Sequence, residues 1–179
     1  MFRLRPLISL LALSAMISML VAACGDGSND NPPAQRGNQI SLVVHSLTRA
    51  DNLYYQDENQ VTYAVRNTDP DRTIAIAWMT VRNDRSDEVR LDVGPDAYRL
   101  LDEDANEYMP INPFEQRELE PNPPADEPFY QFIWGQFELQ RTFGVTGAAI
   151  FDVPRDVKFE QLRWRAIEAV FVRFQGQFS

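Results

Sequence analysis

The chain is poor in the residues on which most metal and nucleophile chemistry depends. Among 179 residues it holds one cysteine, Cys24, and one histidine, His45. A single histidine cannot supply an imidazole metal site, and a hydrolytic triad would need His45 beside a nucleophile and an orienting acid. The sequence also lacks a G-x-S-x-G motif and a glycine-rich phosphate loop. We therefore predict a non-enzymatic protein without a cofactor or metal, and a structural role for His45.

Lysine is equally scarce, because Lys158 is the only one and arginine supplies every other cation. Acidic residues outnumber basic ones, 26 to 17, and the formal net charge is −9. No run of the sequence gathers the arginines into a phosphate-binding stripe. Such an acidic protein should repel nucleic acid and anionic lipid headgroups, so we expect no nucleic-acid partner.

A long apolar run is present only at the N terminus. Arg3 and Arg5 precede the apolar segment Leu7–Val21, and small alanines follow it. About fifteen apolar residues are fewer than the roughly 20 that a membrane-spanning helix needs. This arrangement is typical of a cleaved leader, and we predict a signal peptide over residues 1–23.

The leader ends in "LVAAC", which resembles a bacterial lipobox. The resemblance implies that the thiol of Cys24 is diacylglycerylated and that the peptide is cleaved before it. An exported domain stapled by disulfides would need an even number of cysteines, which this chain lacks. The alternatives are an ordinary secretory leader and a buried free cysteine. We predict a lipoprotein, held outside the cytoplasm on the cell membrane or outer membrane by lipid on Cys24.

The remainder divides into a polar tether over 24–38 and a domain over 39–179. The tether is rich in glycine, asparagine and proline. Hydrophobic residues make up 44% of the whole chain, which suffices for a core. Beyond the tether, the sequence has the pattern of short strands separated by turns. In the segment 72–83 the side chains of both faces of the predicted strand are mostly apolar, as in a strand at the centre of a sheet. We predict an all-β fold, an immunoglobulin-like antiparallel β-sandwich.

Four segments, taken in order, resemble one known family. A strand ends in an asparagine turn at Val81–Asn83, and a hairpin over Leu100–Tyr108 ends at a tyrosine. A glycine-containing strand, Gly147–Pro154, then ends in Phe-Asp-Val-Pro, and the Leu-x-Trp segment Leu162–Trp164 follows it. Over roughly residues 60–165 this order is similar to the telokin-like, immunoglobulin-like domain-of-unknown-function family of bacterial lipoproteins. The resemblance implies an exported β-sandwich with no established activity. At the hairpin tip Asn106 stands near the family's glycine, and we expect it to tolerate the left-handed turn.

Two features are candidate binding sites. The loop 110–128 carries six prolines and five acidic residues and is long for a compact domain. It leads into an aromatic cluster that forms a possible binding patch: Phe129, Tyr130, Phe132 and Trp134. We predict that loop and patch contact an unidentified protein partner, or that the domain has a structural role in the envelope. The alternative is a small-ligand or carbohydrate carrier whose exposed aromatic residues stack on the ligand; a pocket lined by two such residues would favour it.

A third segment has the spacing of a calcium loop. Asp102, Asp104 and Asn106 occupy the first, third and fifth positions. The loop also needs glycine at the sixth position and glutamate at the twelfth, where this chain has Glu107 and Pro113. We therefore interpret the segment as a solvated hairpin tip and expect no calcium.

Overall fold

In the computed structural model, which describes residues 32–174, that part of the chain forms thirteen strands and no helix. The strands are β1 (Ala34–Arg36), β2 (Ile40–Ala50), β3 (Asn52–Gln56), β4 (Thr62–Arg66), β5 (Arg72–Asn83), β6 (Glu88–Val93), β7 (Tyr98–Asp102), β8 (Glu107–Tyr108), β9 (Arg117–Leu119), β10 (Gly135–Gln140), β11 (Gly144–Pro154), β12 (Phe159–Trp164) and β13 (Val170–Arg173). Within this range, accordingly, no helix is available to span a membrane. The leader and Cys24 lie outside the described residues.

The sandwich is built around a four-stranded sheet in the order β1-β2-β5-β11. The predicted central position of residues 72–83 is confirmed, because β5 pairs with β2 on one side and with β11 on the other. Ala75 and Met79 on one face, and Ile74 and Ile76 on the other, are all at most 1% exposed. Both faces of this strand are therefore covered, as its sequence predicts.

The main core lies between this central sheet and the strands β13-β12-β7-β8, with β6 and β10 paired beside them. Tyr98 lies at its middle, with its ring centroid 5.9 Å from that of Trp164 and 5.8 Å from that of Phe151. The Tyr98 hydroxyl donates to the carbonyl of Ile133 at 3.1 Å, and burial raises its pKa. The predicted immunoglobulin-like β-sandwich is confirmed.

A third layer covers part of the opposite face of the central sheet. The strands β3, β4 and β9 form a separate antiparallel sheet, and Leu53, Val65, Ile74 and Ile150 belong to a second buried cluster. This layer accounts for the apolar second face of β5. Further along the same face, Trp78 and Thr80 are half-buried and Arg82 is exposed, so the covering ends within the length of the strand.

Strand β1 differs from the sequence interpretation. Strand β1 lies inside the range 24–38 that we assigned to the tether, and its three side chains are exposed and carry no apolar alternation. It joins the sheet through backbone pairing with residues 41–43.

The β7–β8 hairpin has its left-handed residue at Ala105 rather than at the expected Asn106. Ala105 has a φ of 64°, in the region that a Cβ atom disfavours. Asn106 is held instead by Asp102, whose carboxylate accepts bonds from the backbone N and from Nδ2 of Asn106, each at 2.8 Å. The strain therefore falls on the alanine.

Replacing Ala105 with glycine should stabilise the domain by about 1 kcal/mol, because glycine adopts left-handed backbone without a Cβ penalty. Urea unfolding measures the difference. The matched variant N106G should instead lose stability, since it removes the side-chain bond to Asp102. An A105G protein with an unchanged or lower unfolding midpoint would contradict this account of the hairpin.

Candidate functional site

A groove with a volume of about 590 Å³ opens beside the second buried cluster. Three segments build it: the end of β3 with the turn after it, the loop 110–128, and the segment 129–133. The groove, which we call the aromatic groove, is lined by Tyr55, Gln56, Asp57, Glu58, Asn59, Phe114, Tyr130, Gln131 and Phe132. Its volume falls within the range of small-molecule sites in proteins.

Aromatic rings form its apolar wall. The ring of Tyr55 lies edge-on to Phe132 at 5.2 Å and to Phe114 at 5.7 Å between centroids, and stacks on Tyr63 at 5.5 Å. Phe114 and Phe132 also meet edge to face at 6.1 Å. These are favourable geometries that fix each ring against its neighbours. Tyr55 is only 3% exposed, whereas Phe114 remains 42% exposed and offers ring surface to a ligand.

Amides and carboxylates form the opposite rim. The turn after β3 is closed by Asp57, whose Oδ1 accepts from the backbone N atoms of Asn59 at 2.9 Å and Val61 at 3.0 Å. Glu58 and Gln131 are exposed at the groove. Burial, with a smaller effect from the charge of Glu127, raises the pKa of Tyr130. The rim thus presents hydrogen-bonding groups opposite an apolar wall, and its charge is negative.

The structure divides the predicted aromatic patch. Tyr130 and Phe132 line the groove, whereas Phe129 is 47% exposed outside it and Trp134, half-buried, is also outside the lining. The segment 129–133 lies between two sheets, because Tyr130 N donates to the Tyr54 carbonyl at 2.8 Å and Ile133 N donates to that of Ala148 at 3.1 Å. Phe129 and Tyr130 are consecutive, so in an extended segment their side chains point to opposite sides and do not share one surface.

Close backbone packing sets the position of this segment. A Cβ atom on Gly147 would lie 2.7 Å from the carbonyl oxygen of Gln131 and 3.1 Å from Cγ1 of Ile133. A larger residue at 147 would therefore push the segment away from β11. The glycine that the sequence places in this strand permits the close approach on which one wall of the groove depends.

The loop 110–128 supplies two groups at this site that the sequence did not single out. Phe114 contributes to the groove wall. Arg117, on edge strand β9, donates to the Tyr55 hydroxyl at 3.3 Å, and its guanidinium carbon lies 4.4 Å from the centroid of the Tyr63 ring. A solitary phenylalanine among prolines and acids was the only available signal. The loop is therefore part of the site rather than a separate surface.

His45 lies on an exposed bulge of β2, where the pairing with β5 shifts register between Val44 and Ser46. Its Nε2 is 2.7 Å from Oγ1 of Thr80, which is 2.7 Å from Oγ1 of Thr146. The sequence placed His45 in an apolar strand context, but the bulge turns it outward. Within residues 32–174 the His45 ring hydrogen-bonds to a hydroxyl and forms no hydrogen bond with an acid that could orient it for catalysis.

The segment with calcium-loop spacing has its first carboxylate already occupied. Asp102 accepts bonds from the backbone N atoms of Asp104 and Asn106, from Nδ2 of Asn106 and from the Tyr108 hydroxyl, at 2.8–3.0 Å. Asp102 is 2% exposed. Burial, with a smaller effect from the bond to Asp102, raises the pKa of Tyr108 to about 12. No group of three potential metal ligands occurs within residues 32–174.

In comparisons with known proteins, the chain matches no protein-family model, no curated protein and no solved structure.

Proposed function

We propose that this protein is an exported, non-enzymatic lipoprotein, anchored through lipid on Cys24, whose immunoglobulin-like domain binds a carbohydrate in the aromatic groove. The observation that carries the binding proposal is the pairing of Phe114, Tyr130 and Phe132 with the polar residues of the rim. A sugar presents an apolar C–H face and a perimeter of hydroxyls. Aromatic rings pack against the former, and amides and carboxylates exchange hydrogen bonds with the latter.

The lipobox supports the anchoring part of the proposal. Cys24 is the only cysteine and stands directly after the apolar leader, where acylation would use it. The sequence resemblance to the telokin-like family of bacterial lipoproteins, which is not accompanied by a family-model match, would imply the same placement. Two or three acyl chains would hold the protein stably, whereas a single chain binds a bilayer only marginally.

The groove test uses the purified, detergent-solubilised protein and three neutral probes: maltohexaose, cellohexaose and chitohexaose. Isothermal titration should detect at least one of them, and F114A should weaken that binding about tenfold, the effect of losing an aromatic contact. The matched control is F143A, which removes an exposed phenylalanine that does not line the groove. Failure of all three sugars to bind, or equal binding by F114A and F143A, would refute the carbohydrate proposal.

A protein partner is the second candidate. Three large apolar side chains are exposed within or beside the loop 110–128 and do not line the groove: Met109 at 53%, Leu119 at 64% and Phe129 at 47%. Exposed apolar residues around a polar loop are typical of protein contacts. A partner whose binding is lost in L119S and retained in F114A would favour this candidate over the carbohydrate.

A further inference from the structure

Three of the arginines share one face of the domain. Strand pairing places Phe171, Arg163 and Arg99 in one row across β13, β12 and β7, with Arg173 on the same side two residues further on. Arg165 continues the phase of Arg163 just after β12 and lies 3.7 Å from the same carboxylate, that of Glu107. We call the surface formed by Arg163, Arg165, Phe171 and Arg173 the arginine face; Arg99 lies in the same row but is only 9% exposed.

This face differs from the rest of an acidic molecule. Glu107 is shared by Arg163 and Arg165, and Asp96 pairs with Arg99 at 2.7 Å. Arg173 is exposed and forms no ion pair with an acidic side chain of residues 32–174. By contrast, the outward side of β6 and β10 carries one arginine among three acids: Arg90 with Glu88, Asp92 and Glu138. The arginine face holds three arginines, two of which share one carboxylate, that of Glu107, whereas the outward side of the neighbouring strands β6 and β10 is anionic.

Apolar side chains accompany the arginines. Phe171 is 47% exposed, and the guanidinium carbon of Arg163 lies 5.9 Å from its ring centroid. Ile167, in the loop between β12 and β13, is 37% exposed. Arginine beside exposed aromatic and aliphatic groups suits a membrane interface, where the cation meets phosphate and the apolar group enters the headgroup boundary.

The N-terminal segment enters the fold beside this face. Strand β13 packs next to β1. The loop that carries Ile167 is also bound to the chain after β1, because the carboxylate of Glu168 accepts from the backbone N atoms of residues 38–40 at 2.7–2.8 Å. Eight residues lead from Cys24 to Pro32, and they span at most about 29 Å when fully extended.

We propose that the arginine face lies against the membrane and binds the phosphate groups of anionic phospholipids. The proposal rests on the lipid anchor at Cys24, since the short tether would hold the face at a high effective concentration next to the bilayer. Each arginine within a Debye length of an anionic surface adds a favourable contribution. The overall negative charge would then keep the remaining surfaces turned away.

The experiment uses the full acylated protein reconstituted in phosphatidylcholine vesicles with and without phosphatidylglycerol. Because acylation consumes Cys24, one introduced cysteine is the only thiol to label. The fluorophore is placed by F171C on the arginine face or, as the matched control, by N59C in the exposed turn after β3, in the layer on the other side of the central sheet. A quencher attached to lipid headgroups reports which label lies near the membrane.

We expect the label at 171 to be quenched much more than the label at 59 in anionic vesicles, and the difference to fall at high salt. Adding R173Q to the F171C protein should lower the population facing the membrane about fivefold, while R90Q should leave it unchanged.

Equal quenching at the two positions in protein that co-floats with vesicles would overturn the inference and leave the anchor standing. Concentration-dependent contact between labels at 171, without quenching, would also overturn it by identifying a second copy of the chain as the occupant. If the protein does not co-float, or if C24S co-floats equally after leader removal, the anchoring proposal fails instead.

Discussion

Replacing Asp102 with alanine should lower the free energy of unfolding by about 3 kcal/mol, although the residue lies at a hairpin and outside the main core. Its carboxylate accepts four hydrogen bonds, from two backbone N–H groups, the Asn106 amide and the Tyr108 hydroxyl. Bonds to a buried charged acceptor contribute more than neutral ones, and alanine would leave all four donors without this acceptor. Urea unfolding at neutral pH measures the loss.

The same substitution should change the response to acid. Burial acts to raise the pKa of Asp102, but hydrogen bonds from Asn106, Tyr108 and the hairpin backbone outweigh it and lower the pKa below its ordinary value. A carboxyl of this kind stabilises the fold above its unfolded pKa of about 3.9, and the contribution is lost as pH falls through the lower folded pKa. The wild type should therefore lose stability below about pH 4, and D102A should lose less.

Part of the acid response should persist in D102A, because Glu168 also has a lowered pKa. Burial acts to raise the pKa of Glu168, but hydrogen bonds from the backbone N–H groups of residues 38–40 outweigh that effect and lower the pKa. The matched control is D104A at the exposed tip of the same hairpin. A D104A protein as unstable as D102A, or a D102A protein with the full wild-type dependence on acid, would show that the Asp102 network does not hold the hairpin.

Replacing Asn83 with aspartate should cost about 4 kcal/mol at neutral pH, the largest effect we expect from an isosteric change. Asn83 is fully buried, and its Nδ2 donates to the carbonyls of Ser86 at 2.8 Å and Leu139 at 2.9 Å. An aspartate would direct one carboxylate oxygen at these two acceptors. Its other oxygen would keep the bonds that Oδ1 accepts from the backbone N atoms of Arg85 at 3.2 Å and Ser86 at 3.0 Å, so the buried charge would be only partly compensated. The contacts tie the end of β5 to its following turn and to β10.

The cost of N83D should shrink as pH falls from 7 towards 4.5. The introduced carboxyl would have a raised folded pKa, since burial and the two carbonyls disfavour its charged form. As pH falls, the folded variant therefore takes up a proton, and the protonated carboxyl gains an O–H that can donate to one of the two carbonyls. The control is N59D in the exposed turn after β3. Thermal unfolding across this pH range measures both variants; a pH-independent N83D penalty would contradict the buried-charge explanation.

Local patterns predicted most of the strands correctly. β5 is apolar on both alternating sets and is central, and β6 alternates and buries Val89, Leu91 and Val93 on one face. These features depend on side-chain alternation along a single strand. β1 escaped detection because its short exposed strand is specified by backbone pairing with β2.

The same sequence patterns predicted only part of the candidate site. Tyr130 and Phe132 were predicted and line the groove, but Phe129 and Trp134 do not. Phe114 and the polar residues 56–59 come from distant segments, and their convergence depends on how the third layer covers the central sheet. The row that contains Arg163 and Phe171 of the arginine face likewise crosses β7, β12 and β13, because pairing aligns residues that lie more than 60 positions apart.

By itself the sequence determined the strand-forming segments and, through their alternating apolar residues, the all-β class of this protein. Those properties are local, since the period of side chains along a strand is fixed by backbone geometry. Only the tertiary structure decided that β5 needs a third layer, that a groove opens beside that layer, and that three arginines share a face. These depend on register and on which sheets pack together, which are set by contacts between residues far apart in the chain.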